Sequence, residues 1–101
     1  MKSQAEIINT FKAAKRSAEK LLSNELKKGD LIKMRGTDWY GEILDNLKGN
    51  IRLANIHGWA TEAGSIYVWD IALACKNGEL HQINLTAKQQ KDREWVNNMF
   101  G

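Results

Sequence analysis

Residues 65–85 of the chain read SIYVWDIALACKNGELHQINL, and this stretch decides the fold. On both sides of Asn77-Gly78 the residues are rich in Ile, Leu, Val and aromatic side chains, which favour β-strands. An Asn-Gly pair between two such runs is the strongest short signal for a hairpin with a two-residue type I′ turn. The stretch therefore predicts two antiparallel strands, at 65–75 and 79–85.

The Asn77-Gly78 turn also predicts which residues face each other across the hairpin. The facing pairs are Cys75 with Leu80, Ala74 with His81, Ala72 with Ile83, and Lys76 with Glu79 as an exposed ion pair. The run from Ser65 is apolar on both faces, so we expect one face to line a core and a helix to cover the other. Asp70 interrupts this run and is expected to be a buried carboxylate that ties down a turn or a helix start.

Three more runs of strand composition precede this stretch, at 30–35, 39–47 and 50–56. Lys48-Gly49 is a weaker form of the same turn signal. A two-residue turn there sets two facing pairs, Leu44 with Leu53 and Asp45 with Arg52. Five short strands without Pro predict a small antiparallel sheet that bends and closes into a barrel over residues 30–85.

Helices are predicted on both sides of the strands. From Ser3 to Lys27 there is no Gly or Pro, and a spacing of 100° per residue gathers one apolar face. That face consists of Ile7, Ile8, Phe11, Ala14, Ala18, Leu21 and Leu22. Ser3 and Glu6 have the spacing of a capping box. A short second helix is predicted over 86–100, capped by Thr86. The chain is thus predicted to be one mostly-β α+β domain, residues 1–101, with helices at 3–27 and 86–100.

The composition is that of a globular domain. The 101 residues are 43% hydrophobic and 27% charged, which disfavours disorder. No apolar run approaches the roughly 20 residues of a membrane-spanning helix, and there is no signal-peptide pattern. The lone cysteine, Cys75, cannot form an internal disulfide, which fits a reducing compartment. We therefore expect a cytoplasmic protein with no membrane partner.

The formal net charge of +3 is unevenly distributed along the chain. Residues 1–28 contain seven Lys or Arg and three Glu, residues 29–85 contain five basic and seven acidic residues, and residues 86–101 contain three and two. A polyanion is therefore expected to contact the N-terminal segment rather than the central region.

Residues 28–34 (KGDLIKM), Gly36 and residues 41–44 (GEIL) resemble the opening hairpin of SH3-like barrels, in particular KOW-type and Tudor-type modules. Residues 39–43 (WYGEI) are similar to the aromatic second strand of Tudor-like barrels. The resemblance implies a five-stranded SH3-like barrel. It also implies binding of methylated side chains, as in Tudor modules, or of RNA and the transcription or ribosomal machinery, as in KOW modules. The chain lacks the middle glycine of the KOW pattern.

The order of a basic helix, this barrel and a short Trp-containing tail resembles small uncharacterised proteins of marine bacteriophages. That resemblance implies no activity. It places the protein in the host cytoplasm and makes a host or phage protein its partner.

A protein partner is the leading functional prediction. Trp59 lies in a glycine-bounded loop, and Trp39 and Tyr40 alternate in direction at a strand start, so they are candidate partner-binding residues. Trp69 is expected in the core. A helix over 3–27 is longer than the barrel is wide, so its end around Ile7 and Ile8 is expected to overhang and bind a partner or a second copy of the chain. We predict a non-enzymatic protein-interaction module.

Nucleic-acid binding is the alternative prediction. Lys12, Arg16 and Lys20 are spaced by four residues, so on a continuous helix they share one face and can contact phosphates. The ordinary explanation for such a row is a solvated helix face. The acidic balance of residues 29–85 disfavours binding by the barrel itself.

No motif for catalysis or for a cofactor is present. His57 and His81 have no neighbouring nucleophile motif, and Cys75 is expected to be a small buried hydrophobe. A closed zinc site would need both histidines, Cys75 and a carboxylate together. We predict no catalytic residue, no metal and no cofactor.

Overall fold

A computed structural model of the chain describes residues 2–59 and 63–100. The elements follow in the order α1 (Gln4–Ala13), β1 (Lys15–Arg16), β2 (Leu21–Leu22), a 3₁₀ turn (Ser23–Glu25), β3 (Leu31–Met34), β4 (Tyr40–Ile43), β5 (Ile51–Ile56), β6 (Gly64–Tyr67), a second 3₁₀ turn (Val68–Asp70), β7 (Ile71–Lys76), β8 (Glu79–His81), β9 (Ile83–Asn84) and α2 (Ala87–Phe100). The fold is α+β and mostly β, with a helix near each end, as predicted. Neither of these two described helices has the length and apolar character needed to cross a bilayer.

The N-terminal helix is much shorter than predicted, ending at Ala13 instead of residue 27. Its start is as predicted, because Ser3 and Glu6 form the capping box. After Ala14 the backbone is extended and its N–H groups donate to the C-terminal hairpin and the segment that follows it, from Lys15 to Gly78, from Ser17 to Leu80 and from Leu21 to Gln82. These long-range bonds, with burial of Leu21 in the core, override a helical pattern that rests on few apolar residues.

The strands form an open sheet rather than the predicted five-stranded closed barrel. Seven strands pair in the order β1-β8-β7-β3-β4-β5-β6, and β2 pairs with β9 separately. The pairings of β1 with β8 and of β2 with β9 are parallel, contrary to the all-antiparallel prediction. The prediction of five antiparallel strands is wrong for two reasons. Residues 15–16 and 21–22 form strands rather than part of a helix. The 3₁₀ turn Val68–Asp70 divides the run 65–75 into β6 and β7.

The hairpin at Asn77-Gly78 is confirmed. Asn77 and Gly78 have φ of 53° and 77°, the left-handed values that a type I′ turn requires at both positions. Three of the predicted facing pairs are present, Cys75 with Leu80, Ala74 with His81, and Lys76 with Glu79. Ile83 does not face Ala72 but pairs with Leu21. Lys76 forms its ion pair with Asp30, at 2.7 Å, rather than with Glu79.

The connection between β4 and β5 has the predicted register without the predicted tight turn. Ile43 faces Ala54, and the N–H of Leu44 donates to the carbonyl of Leu53 at 2.8 Å. However, β4 ends at Ile43 and β5 begins at Ile51, so the connection is longer than a two-residue turn. The carboxylate of Asp45 accepts the N–H of Leu53 at 2.7 Å, and thereby takes the place of the next backbone bond of the ladder.

Gly41 marks a close approach of β4 to β5. A Cβ at this position would lie 2.2 Å from the carbonyl oxygen of Asn55 and 2.5 Å from Cδ1 of Ile56. Only glycine fits between the strands at this point.

The two faces of the sheet carry separate cores. Buried residues of the main core line the inner face, and they are Leu21, Leu26, Ile32, Met34, Ile43, Ala54, Ile56, Ile66, Val68, Trp69, Ile71 and Ala74. Val96 of α2 packs against this core. On the outer face, Ile7 and Phe11 of α1 pack on Leu31, Cys75 and Leu80 in a smaller core. The expectation that Trp69 lies in the core is confirmed. Asp70, expected to be buried, is exposed.

A buried polar network joins the 3₁₀ turn Ser23–Glu25, the loop before β5 and the start of α2. The Arg52 guanidinium, fully buried, donates to the backbone carbonyls of Gly49, Ile51 and Ser23 at 2.8–3.1 Å. Ser23 Oγ donates to Gln89, whose amide donates to the Gly49 carbonyl. Burial lowers the pKa of Arg52. The predicted register places Arg52 opposite Asp45, but the buried Arg52 side chain donates to these carbonyls and forms no ion pair with Asp45.

The start of α2 is confirmed by its cap. The N–H of Gln89 donates to Oγ1 of Thr86 at 3.1 Å, and the N–H of Thr86 donates to Oε1 of Gln89 at 2.9 Å. This is a capping box, which satisfies two backbone donors that a helix start leaves without partners.

Candidate functional site

Two of the predicted partner-binding residues are covered by the protein itself. Ile7 is 1% exposed in the smaller core, and the half-buried Tyr40 ring meets the Phe11 ring edge-on with centroids 5.1 Å apart. Ile8 is half-buried on the same helix. The predicted overhang of the helix is wrong, because a helix of ten residues spans only about 15 Å.

Trp39 immediately precedes β4, Trp59 follows β5, and the contact of Trp39 with Gly58 brings the two segments together. Trp39 is 43% exposed, and its indole lies against Gly58. Trp59 is half-buried, packs on the main core and covers Gly64. Of the predicted aromatic residues, Trp39 is therefore the one that offers a large free surface.

The structure reveals an uncovered apolar strip that is not among the predicted sites. We define the outer strip as Leu44, Leu47, Ile51 and Leu53. The register places Leu31, Glu42 and Asn55 in one row of the outer face, so Leu53, two residues before Asn55, shares that face. Helix α1 covers the Leu31 end. Ile51 and Leu53 remain 42% and 41% exposed.

The outer strip borders an open edge of the sheet. β6 is the last strand in the sheet order, and no described strand pairs with its far side. Val68 donates to the carbonyl of Asn50 at 2.9 Å. Because backbone groups alternate along an antiparallel strand, Ser65 and Tyr67 direct their N–H and C=O groups away from β5, toward the open edge. The signal in the sequence is the alternation of Ile51 and Leu53 with Arg52, which gives one face of this strand two apolar side chains.

The three predicted nucleic-acid-binding residues do not form a row. Lys12 lies in α1, Arg16 in β1, and Lys20 in the segment before β2. The helical face on which the prediction rested ends at Ala13. Whether these residues bind nucleic acid stays a prediction, and the structure places them on three different parts of the chain.

Lys20 instead lines a cleft of about 560 Å³ between strands β7 and β9 on one side and α2 on the other. Two further cations, Arg35 after β3 and Arg93 of α2, line this cleft together with Glu94. Amide side chains and an apolar floor complete it, namely Gln82, Asn84, Gln90, Asn97, Trp69, Ile71, Ala72, Ile83 and Leu85. Neither Arg35 nor Arg93 is among the predicted site residues, and the two lie 58 residues apart in the sequence.

The histidines and the cysteine have structural surroundings. His57 Nε2 lies 3.1 Å from the carbonyl of Lys2, and His81 Nδ1 lies 2.8 Å from the carbonyl of Glu19. Burial is the main cause that raises the pKa of Cys75, so its thiol is a poor nucleophile. Within residues 2–59 and 63–100, no group of three or more His, Cys, Asp or Glu residues lies close enough to hold a metal ion.

Comparison of this chain with protein-family models, with curated proteins and with solved structures finds no match.

Proposed function

We propose that the protein is a non-enzymatic interaction module that binds an extended segment of a partner protein along β6 and over the outer strip. The observation that carries this proposal is the half-covered outer face. α1 packs over one end of it, while Ile51 and Leu53 stay about two-fifths exposed beside an unpaired strand. Edge strands are the usual place where a partner's strand adds to a sheet.

The size of the outer strip favours an extended partner segment over a flat docking surface. A stable interface buries about 800 Å² on each partner. Four partly exposed aliphatic side chains provide much less than this, so apolar contact alone is insufficient. A strand added to β6 supplies backbone hydrogen bonds through Ser65 and Tyr67, while its alternate side chains pack on Ile51 and Leu53. Both features are then used by one ligand.

The resemblance stated for the sequence supports the same class of function. The residues that carry it form β3 and β4 of the structure, which pair as an antiparallel hairpin with Ile32 facing Gly41. The Tudor-type resemblance implies binding of methylated side chains of a protein, and the resemblance to small phage proteins makes a host or phage protein the expected partner. The open sheet is a departure from the closed barrel that the resemblance implied.

The proposal is tested with a matched pair of substitutions, Leu53→Lys and Leu22→Lys. Leu22 is a control because it is 50% exposed and lies in β2, which pairs with β9 and not with the strands that carry the outer strip. Peptides are first selected on the unmodified protein from a random-peptide display library. Their dissociation constants are then measured for all three proteins by fluorescence titration. Leu53→Lys should weaken binding more than about tenfold, since it places a charge in an apolar contact, whereas Leu22→Lys should leave it unchanged.

Amide chemical shifts locate the bound peptide independently of affinity. We expect the largest changes at Ser65 and Tyr67 of β6. Selected peptides that bind the Leu53→Lys protein as tightly as the unmodified one would contradict the proposal. Sedimentation showing a dimer that Leu53→Lys dissociates would also contradict it, because the strip would then be occupied by a second copy of the chain.

A further inference from the structure

The cleft between β9 and α2 has features of a ligand site that the interaction function does not use. Its volume of about 560 Å³ lies within the range of about 300–1,000 Å³ that small-molecule sites occupy. It lies between β7, β9 and one side of α2, on the inner face of the sheet. The outer strip lies on the opposite face. A ligand can therefore occupy the cleft independently of a partner at β6.

Three cations converge on the cleft from three separate parts of the chain. Lys20 comes from the N-terminal segment, Arg35 from the turn after β3, and Arg93 from α2. Among the described residues none of the three has an ion pair, since the salt bridges there join other residues. The Arg35 side chain donates one hydrogen bond among the described residues, from Nε to the carbonyl of Trp69 at 3.3 Å. Among the described residues of the lining, Glu94 is the single carboxylate, so the cleft is cationic and suited to a phosphate.

The remaining lining is suited to a flat, polar ring. Gln90 and Asn97 occur on the same side of α2 as Arg93, at the spacing of a helical face. Gln82 and Asn84 flank Ile83 on the opposite wall. Gln90 donates weakly to the carbonyl of Leu85 at 3.4 Å. For Gln82, Asn84 and Asn97, the described part of the chain contains no hydrogen-bond partner of the side chain, which leaves their donors and acceptors available to a ligand.

We propose that this cleft binds a nucleoside phosphate, with the phosphate on Lys20, Arg35 and Arg93 and the base between the amides and the apolar floor. A bare phosphate would leave the amides and most of the volume unused. An apolar ligand would leave three cations without partners. A nucleotide combines an anionic group with a planar ring that has both donors and acceptors at its edges, which matches the two halves of the lining.

The test uses two matched pairs of substitutions and nucleotide titrations. Lys20→Gln and Arg93→Gln remove cations of the cleft. Lys91→Gln and Lys48→Gln are the controls, because both residues are exposed, lie outside the lining and are not among the predicted nucleic-acid-binding residues. Adenosine, guanosine, cytidine and uridine 5′-monophosphates are each titrated into the isotope-labelled protein, and backbone and side-chain amide shifts are followed.

We expect at least one nucleotide to bind with a dissociation constant below about 1 mM, with shifts centred on the side-chain amides of Asn84, Gln90 and Asn97. Each cleft substitution should weaken binding about tenfold, the usual worth of a charge-assisted hydrogen bond. Each control substitution should change it less than about twofold, because distant exposed charges are screened.

Further probes distinguish the source of the nucleotide and define failure. Tighter binding of a short mixed-sequence RNA than of any mononucleotide, with a steeper salt dependence, identifies a segment of a strand as the ligand. Comparable affinities identify a free nucleotide. The proposal is overturned if no nucleotide binds, if inorganic phosphate or ribose 5-phosphate binds as tightly as the nucleotides, or if the control substitutions weaken binding as much as the cleft substitutions. None of these results affects the peptide experiment on β6.

Discussion

Replacing Gly41 with Ala tests the contact between β4 and β5 most directly. The added Cβ would lie 2.2 Å from the Asn55 carbonyl oxygen and 2.5 Å from Cδ1 of Ile56, whereas non-bonded heavy atoms normally approach no closer than about 3.5 Å. The side chain of Ile56 can rotate, but the carbonyl belongs to the ladder. The strands must therefore separate by about 1 Å. This lengthens the N···O distances between them beyond the range of a backbone hydrogen bond.

The expected loss in the free energy of unfolding follows from these distances. Overpacking a core costs about 1–3 kcal/mol, and weakening two ladder bonds adds about 1 kcal/mol each. Alanine also lowers the conformational entropy of the unfolded chain, which offsets about 0.5–1 kcal/mol of this loss. The net destabilisation should be about 3 kcal/mol, a large part of the 5–15 kcal/mol that holds a typical domain together.

Gly64→Ala provides the comparison. A Cβ at Gly64 would meet the Trp59 ring at 2.5 Å, but that side chain is half-buried and can move outward. Gly64→Ala should therefore cost about 1 kcal/mol. Urea unfolding followed by tryptophan fluorescence measures both proteins. A loss below about 1 kcal/mol for Gly41→Ala, or equal losses for the two variants, would refute the reasoning about the ladder.

Three further predictions concern the core, the thiol and acid stability. Trp69→Ala should destabilise by about 3–5 kcal/mol in the same urea assay, because Trp69 is 4% exposed and stacks on Tyr67; Trp59→Ala should cost far less. Cys75 should react with a thiol-specific reagent at pH 8 only after unfolding, because burial raises its pKa. Asp92 accepts hydrogen bonds from Asn50 and Lys88, which lower its pKa; its contribution to stability is fully present above about pH 3.9 and is lost as the pH falls through the lower folded value. Asp92→Asn should therefore flatten the acid side of a melting-temperature profile.

Each of these predictions has a result that would contradict it. Equal losses for the two tryptophan variants would show that Trp59 is as much part of the core as Trp69. Labelling of Cys75 at the rate of a free thiol would mean that the smaller core opens readily. An unchanged acid profile for Asp92→Asn would show that the bond to Asn50 adds nothing to folding.

The C-terminal hairpin could be predicted because its information is local. Asn77-Gly78 specifies the turn, and the turn specifies the register of Cys75 and Leu80 without reference to the rest of the chain. The start of α2 is local in the same sense, since Thr86 and Gln89 form the cap by themselves. The conformation of residues 15–22 does not depend on local sequence, because their hydrogen-bond partners are Gly78, Leu80 and Gln82. No pattern within the segment indicates bonds to residues so distant.

The candidate sites were largely beyond prediction for a related reason. A sequence shows that Ile51 and Leu53 alternate with Arg52, but the usual rule places the apolar pair inside and the arginine outside. Here the arginine is buried because three backbone carbonyls surround it. The cleft likewise depends on Arg35 and Arg93 meeting across the fold, which only the packing of α2 on the sheet determines.

The parallel pairing of the N-terminal segment has a consequence for the order in which the protein folds. Lys15 pairs with Glu79 and Leu21 with Ile83, so this segment is synthesised well before the strands with which it pairs. Closing so long a loop for two short pairings is entropically unfavourable, and we expect the segment to dock last and to open first in hydrogen exchange. Because Lys20 lies on this segment and lines the cleft, we expect the cationic cleft to be completed only in the final step of folding and to be lost early when the native state fluctuates.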